Sequence, residues 1–576
     1  MPIENAEVAR LFREIAELLE LQGANPFRVR AYQTAARTVE ELPQSVEELV
    51  REGRSQLTEL PGIGEDLADK IEMIVRTGRL PALRRLERQV PKGLVQLLRL
   101  RGLGPQRARA LHRALGVRSL AQLEKACRSG RVRELPGFGA KTEANILHEL
   151  ATHRAGEHRV LRPVAAQYGE MFLAYLRGLN GVRKAEIAGS YRRCKDTVGD
   201  LDILVTCRRG TPVVRRFIDY PEVAEVLAKG TTRASVRLRS GLQVDLRVLA
   251  EASYGAGLFY FTGSKAHNIA IRRRGQQRGL RINEYGVWKG KRRTAGRTEA
   301  EVFRQVGLPW IPPELREDRG EIEAAEGGRL PALVELRDIR GDLQAHTTDS
   351  DGRNSLVEMA EAAEALRYEY LAVTDHTPAV RVAGGLDAAG FRRQMRRIDR
   401  LNASLRKLRV LKGAEADILR DGSLDLDSYT LDALDVVVVS IHSAFNLSER
   451  DQTRRVVRAL THRAVDILGH PTGRLLGRRG GIRLDLDQVI RAAQDHGVLL
   501  EVNGQPDRLD LDDLASRAAI EAGAMLAIST DAHAVAELGF MRWGVDQARR
   551  GWAEKRQIAN ACPLPQLLKL LHGGRH

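Results

Sequence analysis

Between residues 340 and 535, apolar strand-like runs alternate with helical patterns, and run after run ends in a residue type that binds metals. "YLAVTDH" ends at His376, "RVLKGAEADI" carries Glu415, "DVVVVSIHS" brings His442, "VDILGHP" brings His470 and "MLAISTDAH" brings Asp531 and His533. The series opens with "RGDLQAHTTDSDG" (340–352). Alternating strand and helix signals imply βα units around a parallel sheet. Ligand-type residues at the C-terminal ends of successive parallel strands converge at one mouth of a βα barrel. A lone histidine is more often a packing residue, but this recurrence is not explained by packing.

A second constellation lies upstream in "AGSYRRCKDTVGDLDILV" (188–205) and "LQVDLRV" (242–248). Asp200 and Asp202 are two apart on a strand pattern, so their carboxylates project from one face. Like charges held together raise each other's pKa unless a cation lies between them. Asp245, flanked by strand residues, can join them from a neighbouring strand. Three carboxylates around one spot suit two Mg²⁺ ions, hard cations that prefer oxygen, or Mn²⁺ in their place. Such a pair stabilises the attacking and leaving oxygens of phosphoryl transfer. Gly189 and Ser190, with Arg192 and Arg193, supply donors for a triphosphate.

Residues 1–155 read as helical, and three stretches there resemble one another: "ELPGIGEDLADKI" (59–71), "RLRGLGPQRARAL" (99–111) and "ELPGFGAKTEANI" (134–146). Each sets a Gly-x-Gly turn (Gly62 and Gly64, Gly102 and Gly104, Gly137 and Gly139) between helical patterns. Glycine lets backbone approach a phosphate, and the following helix offers it unpaired N–H groups. Charge agrees with that reading: residues 1–330 hold 58 basic against 40 acidic side chains, whereas 331–576 hold 34 against 35. The basic excess belongs to the part expected to bind a polyanion, while nine of the fourteen histidines lie in the near-neutral remainder. The three stretches resemble helix-hairpin-helix motifs, which hold DNA by its backbone without reading sequence.

"GSYRR…GDLDILV", "VDLRV", "YFTGSKAHN" (260–268) and "RINEYGV" (281–287) together resemble the family X DNA polymerases, over residues 1 to about 313. The resemblance implies a nucleotidyltransferase fold with Asp200, Asp202 and Asp245 as ligands of Mg²⁺, Asp245 near the primer 3′-hydroxyl. It implies that Ser190 and Arg193 grip the triphosphate, that Tyr260, Phe261 and Gly263 line the sugar, and that Asn268 and Arg272 reach minor-groove base edges. "NPFRVRAY" (25–32), with Arg28 and Tyr32, is similar to the part that binds a DNA 5′-phosphate in some relatives. Lys70 falls at the place of their lyase lysine, although Asp66 and Ala82 stand where those relatives carry phosphate-binding lysines.

The C-terminal motifs resemble a PHP (polymerase and histidinol phosphatase) domain over about 338–570. That implies a distorted seven-stranded βα barrel with up to three ions of Mn²⁺, Zn²⁺ or Fe, which activate water for attack on a phosphodiester. The implied ligands are His346, Asp351, His376, Glu415, His442, His470, Asp531 and His533. They fall into the sets His346 with Glu415 and Asp531, Asp351 with His376 and His533, and Glu415 with His442 and His470. The family's first motif is His-x-His; here Gln344 replaces the first histidine, a weak ligand or none.

The expected organisation is multidomain. An all-α helix-hairpin-helix part comprises a lyase-like domain (1–82) and fingers (83–158), and an α+β part comprises the palm (159–252) and thumb (253–313). A charged linker (314–337) leads to the α/β barrel (338–576). The expected function is gap-filling DNA synthesis from dNTPs on gapped or primer–template duplex, independent of sequence, with 3′–5′ exonuclease activity from the barrel. The rivals are a nuclease whose polymerase half only clamps DNA, and a scaffold with dead metal sites. Four scattered cysteines without a CxxC pair suit a reducing cytosol. The N-terminal "MPIENAEVARLFREIAELLE" is an acidic amphipathic helix rather than a signal peptide, and no apolar run is long enough to span a bilayer. A soluble cytoplasmic protein with no membrane partner is expected.

Overall fold

The structure, a computed structural model, describes residues 5–22, 24–40, 46–77, 80–89, 97, 100, 103–155 and 159–571. It forms two compact units, Met1–Glu157 and His158–His576.

The first unit is helical. In the helix Asn5–Gln22, Val8, Phe12, Ile15 and Leu19 repeat at three- and four-residue spacing and are buried, the stripe a helix needs to pack on a neighbour. That neighbour is Pro26–Glu40, where Tyr32 meets Phe12 edge-on at 5.7 Å. The first Gly-x-Gly turn joins Arg54–Thr58 to Glu65–Thr77. Gly104 caps Pro105–Leu115, and Gly137 and Gly139 precede Ala140–Ala155. Gly102 lies outside the described residues.

The second unit begins with a five-stranded sheet of β1 (Val182–Ile187), β2 (Asp200–Cys207), β3 (Val223–Lys229), β4 (Arg233–Leu238) and β5 (Gln243–Val248), in the order β1-β2-β5-β4-β3. Only the β2–β5 pairing is parallel; β1–β2, β3–β4 and β4–β5 are antiparallel. In β2, Leu201, Ile203 and Val205 turn inward onto Phe172 and Leu176 of the helix Arg162–Arg177, leaving Asp200 and Asp202 on the other face. A helical and three-stranded segment follows, built on β6 (Leu280–Asn283), β7 (Gly286–Lys289) and β8 (Arg292–Ala295).

The stretch 314–337, expected as a linker, is folded rather than loose. It contains the helix Glu321–Glu326, and Leu315 and Ala325 join the core of Phe259, Phe303 and Ile311. Its charges are buried in pairs: Arg316 with Glu299 at 2.6 Å, and Glu321 with His267 at 2.6 Å. A charge with a buried partner reads like a solvated charge in sequence, which is why composition alone suggests a tether.

Seven parallel strands, counted among the described residues, then run in sequence order: β9 (Gly341–Ala345), β10 (Tyr370–Val373), β11 (Arg409–Asp417), β12 (Val436–Ser440), β13 (Ile467–Leu468), β14 (Leu499–Asn503) and β15 (Leu526–Ser529). Runs such as "VVVV" in β12 are buried on both faces, as parallel strands between core and helices must be. Leu343, Tyr370, Leu411, Val438, Ile467 and Leu499 fill the interior, and Leu567 and Leu571 pack into the same cluster from the C-terminal segment. Asn560 staples the seam between first and last strands. Its amide nitrogen donates to the carbonyls of Gly341 (2.8 Å) and Ile528 (2.7 Å), and its oxygen accepts from Ile528 N at 3.0 Å. No helix among the described residues is long and apolar enough to cross a membrane.

Candidate active sites

The parallel pairing of β2 with β5 sets Asp202 directly beside Asp245, with Asp200 two residues along the same face. Burial and its two aspartate neighbours push the Asp202 carboxyl up to about 7. Burial and Asp245 push Asp200 up as well. Arg247 and Arg193 oppose the shift at Asp202 without cancelling it. This local excess of negative charge fits a divalent cation. Gln243 Nε2 donates to Asp245 Oδ2 at 3.0 Å and steadies it. Gly189 has φ 62°, and a side chain there would strike the Asp202 carboxylate, so the turn can approach the aspartates only as glycine.

Ser190 stands in the turn Gly189–Arg192 at the end of β1. Arg193 donates from Nε to Glu317 Oε1 at 3.0 Å and from Nη1 to the Thr262 carbonyl at 2.7 Å. Arg192, expected as a further triphosphate donor, is tied elsewhere: both terminal nitrogens bond Glu299, at 2.8 and 2.9 Å, and Nη1 also bonds Thr262 Oγ1. It is a strut between the turn and the helix Glu299–Gln305. Tyr260 and Phe261 meet edge-on at 5.2 Å. Asn268 Nδ2 donates to the Tyr260 carbonyl at 2.6 Å, while Arg272 on the same helix is exposed.

At the barrel mouth every ligand-type residue follows or ends a strand. His346 follows β9, His376 lies past β10, Glu415 stands in β11, His442 and His470 lie two residues past β12 and β13, and Asp531 and His533 lie past β15. Three groups have donor atoms within 4.8 Å of one another: His346, Asp351, His376 and His533; His376, Glu415 and His442; and His346, Glu415 and Asp531. His470 Nε2 lies 3.0 Å from Glu415 Oε1, beside the second group. The palm aspartates share a face but do not form such a trio among the described residues.

Charge at the mouth is finely balanced. Burial would raise Glu415, yet His376 and His442 hold its carboxyl well below the usual range. Burial likewise disfavours the charged form of His442, but Glu415 and Asp417 overcome it and raise the imidazole to about 10. At His533, Asp351 and Asp531 overcome burial in the same way, again to about 10. Carboxylates thus hold protons on these two half-buried imidazoles, whereas burial pushes His376 down to about 4 and lowers His470; the mixture of nitrogen and oxygen donors fits transition-metal ions. Asp531 has φ 51° and His470 φ 24°, left-handed backbone that non-glycine residues seldom adopt. Backbone strain of this kind clusters at functional sites.

Gln344 is fully buried. Its Nε2 points to Asp531 Oδ1 at 3.4 Å and its Oε1 has no hydrogen-bond partner. Sequence reasoning missed Asp417, which accepts from the His442 main chain at 2.9 Å and contacts its Nδ1 at 3.2 Å. Asp417 lies two residues past Glu415 on one strand face, and that spacing was the available signal. Asn503, which donates to Asp531 Oδ2 at 3.1 Å, ends β14, the one barrel strand to which the sequence pattern assigns no ligand.

In the helical unit, Gly62 has φ 74° and a side chain there would meet Thr34 Cγ2 at 2.6 Å, whereas Gly64, Gly104 and Gly139 face open space. Arg28 is exposed and Tyr32 buried. Lys70 is paired with Asp66 and lies over the Tyr32 ring at 5.9 Å.

Five stretches of the chain match known domain families. Residues 3–80 match the helix-hairpin-helix domain, 94–152 the SAM-like helix-hairpin-helix tandem, 159–247 the DNA polymerase beta palm, 257–317 the DNA polymerase beta thumb and 342–505 the PHP domain. The DNA polymerase/3′-5′ exonuclease PolX of Bacillus subtilis (strain 168) is 40% identical over 565 residues, 97% of each chain. DNA polymerase lambda of Arabidopsis thaliana is 28% identical over 55% of this chain and 62% of its own. A probable phosphatase of Thermoanaerobacter sp. (strain X514) is 27% identical over 34% of this chain and 80% of its own. With palm, thumb, paired helix-hairpin-helix regions and PHP barrel in one continuous match, the chain belongs to the bacterial family X DNA polymerases that carry a C-terminal PHP domain.

Proposed function

We propose that the chain is a DNA-directed DNA polymerase that fills gaps during repair, with a barrel that removes nucleotides from 3′ ends. The observation that carries the polymerase reading is the half-buried set of like charges, Asp200, Asp202 and Asp245, on one sheet face. These residues would hold two Mg²⁺ ions, or Mn²⁺ in their place. Bound there, the ions supply charge stabilisation for the attacking and leaving oxygens. The chain's own part is to place the reactants. Ser190 and Arg193 bind the triphosphate, Tyr260, Phe261 and Gly263 form the bed of the sugar, and Asn268 and Arg272 reach the base edges. The glycine turns at Gly62, Gly64, Gly104, Gly137 and Gly139, with Arg28, hold gapped or primer–template DNA by its phosphates, independent of sequence.

In the barrel, His346, Asp351, His376, Glu415, His442, His470, Asp531 and His533 would hold up to three Mn²⁺ or Zn²⁺ ions, which when bound supply water activation and charge neutralisation at a phosphodiester. Asp417 fixes the His442 ring and Asn503 orients Asp531. All four cysteines are free, as suits a cytoplasmic enzyme.

The test is extension and degradation of primers on gapped DNA. Asp245→Ala should lower nucleotide addition by orders of magnitude while leaving DNA binding and 3′ degradation intact. Normal extension by that variant would overturn the polymerase reading and favour a nuclease with a DNA clamp.

A further inference from the structure

Arg550 ends the helix Met541–Arg550 on the outside of the barrel, yet its guanidinium, 2% exposed, reaches the polymerase half. Nη1 donates to the main-chain carbonyl of Arg193 at 2.6 Å and to Glu317 Oε1 at 3.2 Å, and Nη2 donates to Asp513 Oδ2. Glu317 Oε1 is the same oxygen that accepts from Arg193 Nε. One carboxylate oxygen therefore serves two guanidinium groups. One belongs to the residue assigned to the triphosphate, the other to the barrel.

A triphosphate needs charge-assisted hydrogen bonds from Arg193, and Glu317 competes for that guanidinium. If Arg193 turned to a phosphate with nothing else near, Glu317 would be left as a carboxylate only 12% exposed. An uncompensated buried charge is strongly unfavourable, so the exchange would be resisted. Arg550 removes the obstacle, because it already bonds the same oxygen and is anchored from behind by Asp513. Thr262 holds Arg193 only through a neutral carbonyl, a weaker partner than a phosphate.

We propose that Arg550 of the barrel is a positioning residue for nucleotide addition: it keeps Glu317 paired so that Arg193 can leave that carboxylate for the incoming triphosphate. This rests on the reading of Arg193 as a triphosphate grip. The barrel thereby sets the nucleotide affinity of the polymerase site without touching nucleotide.

The experiment is steady-state single-nucleotide gap filling by the full chain, with KM for dNTP and kcat measured separately. Arg550→Gln should raise KM about 10-fold with kcat little changed, the signature of lost nucleotide binding. Arg550→Lys should restore part of the loss. Glu317→Gln alone should lower KM, and adding Arg550→Gln to it should have no further effect, since position 317 no longer carries a charge to be kept paired and Asp513 keeps Arg319 as its partner. That arm holds even if Arg550→Gln is poorly folded in the native background. A KM unchanged in Glu317→Gln, or an equal Arg550→Gln effect with Glu317 and with Gln at that position, would overturn the proposal. Arg193→Ala separates the two levels. If it leaves KM unchanged, the assignment of the triphosphate grip itself fails. If it raises KM while Arg550→Gln does not, only the role of Arg550 fails.

Discussion

Gln344 presents an amide nitrogen, not an oxygen, to Asp531. A nitrogen that carries its own protons cannot ligate a cation, and it competes with the cation for the Asp531 oxygen. The neighbouring donor group is His346, Glu415 and Asp531, to which Gln344 adds no imidazole. Disturbing even the partners behind metal ligands commonly lowers metal affinity or activity about 10–100-fold. Gln344→His should therefore reduce the Mn²⁺ concentration for half-maximal 3′ degradation by a factor in that range, with primer extension unchanged. An identical metal titration for variant and parent would refute this. Glu299 presents the opposite case, a residue whose partners are all in place. Burial would raise its carboxyl, but Arg316 and Arg192 bring it from 4.5 down to about 2. Arg316 is itself pulled downward by complete burial, yet a guanidinium stays charged throughout the accessible range, so the carboxylate carries the pH dependence. A depressed folded pKa gives stability that is full above about 4.5 and lost as pH falls toward 2. The shift corresponds to at most about 3 kcal/mol. Urea unfolding of Glu299→Gln should show a deficit of that order at pH 7 that shrinks between pH 4.5 and 2.

Among the elements, the glycine turns separate two demands that sequence merges. Gly62 is required by backbone, since its φ and Thr34 exclude a side chain; Gly64 lies at the start of the following helix with open space around it. Gly64→Val should leave the fold intact and weaken duplex binding equally for all sequences. It should also reduce the slope of log affinity against log salt by roughly 0.9 for each phosphate the variant no longer neutralises. Gly62→Val should in addition destabilise the helical unit; equal effects on binding and melting at both positions would argue against a phosphate grip. The turns, the aspartate pair and the strand-end ligands were legible because each is a local pattern: a spacing, an alternation, a run with a fixed ending. Arg192 was not. Its guanidinium could serve a phosphate or a carboxylate, and its partner Glu299 lies 107 positions away. The buried pairs of 314–337 were hidden for the same reason, because nothing local marks which charges will find partners at long range.

At the scale of the molecule, the barrel mouth holds protons where ions would bind. The carboxylates beside them raise His442 and His533 to about 10, which favours their protonated forms. Metal binding must expel those protons, and a ligand that binds only the folded state stabilises it. Adding Mn²⁺ should release protons into weakly buffered solution near pH 7 and raise the melting temperature, and Glu415→Ala should diminish both. No proton release in the parent would count against this account of the mouth. The helical unit, to which none of the ligand residues named above belongs, should melt at a temperature independent of Mn²⁺ if it unfolds separately. Asn560 carries a consequence of another kind, one of timing. It is synthesised after every strand of the barrel, and it joins the first strand to the last, with Leu567 and Leu571 following it into the interior. While the chain is still emerging from the ribosome, the seven strands can pair in order with the seam between the first and the last still open. The first strand of the barrel must therefore wait for a residue close to the end of the chain before its outer edge is held.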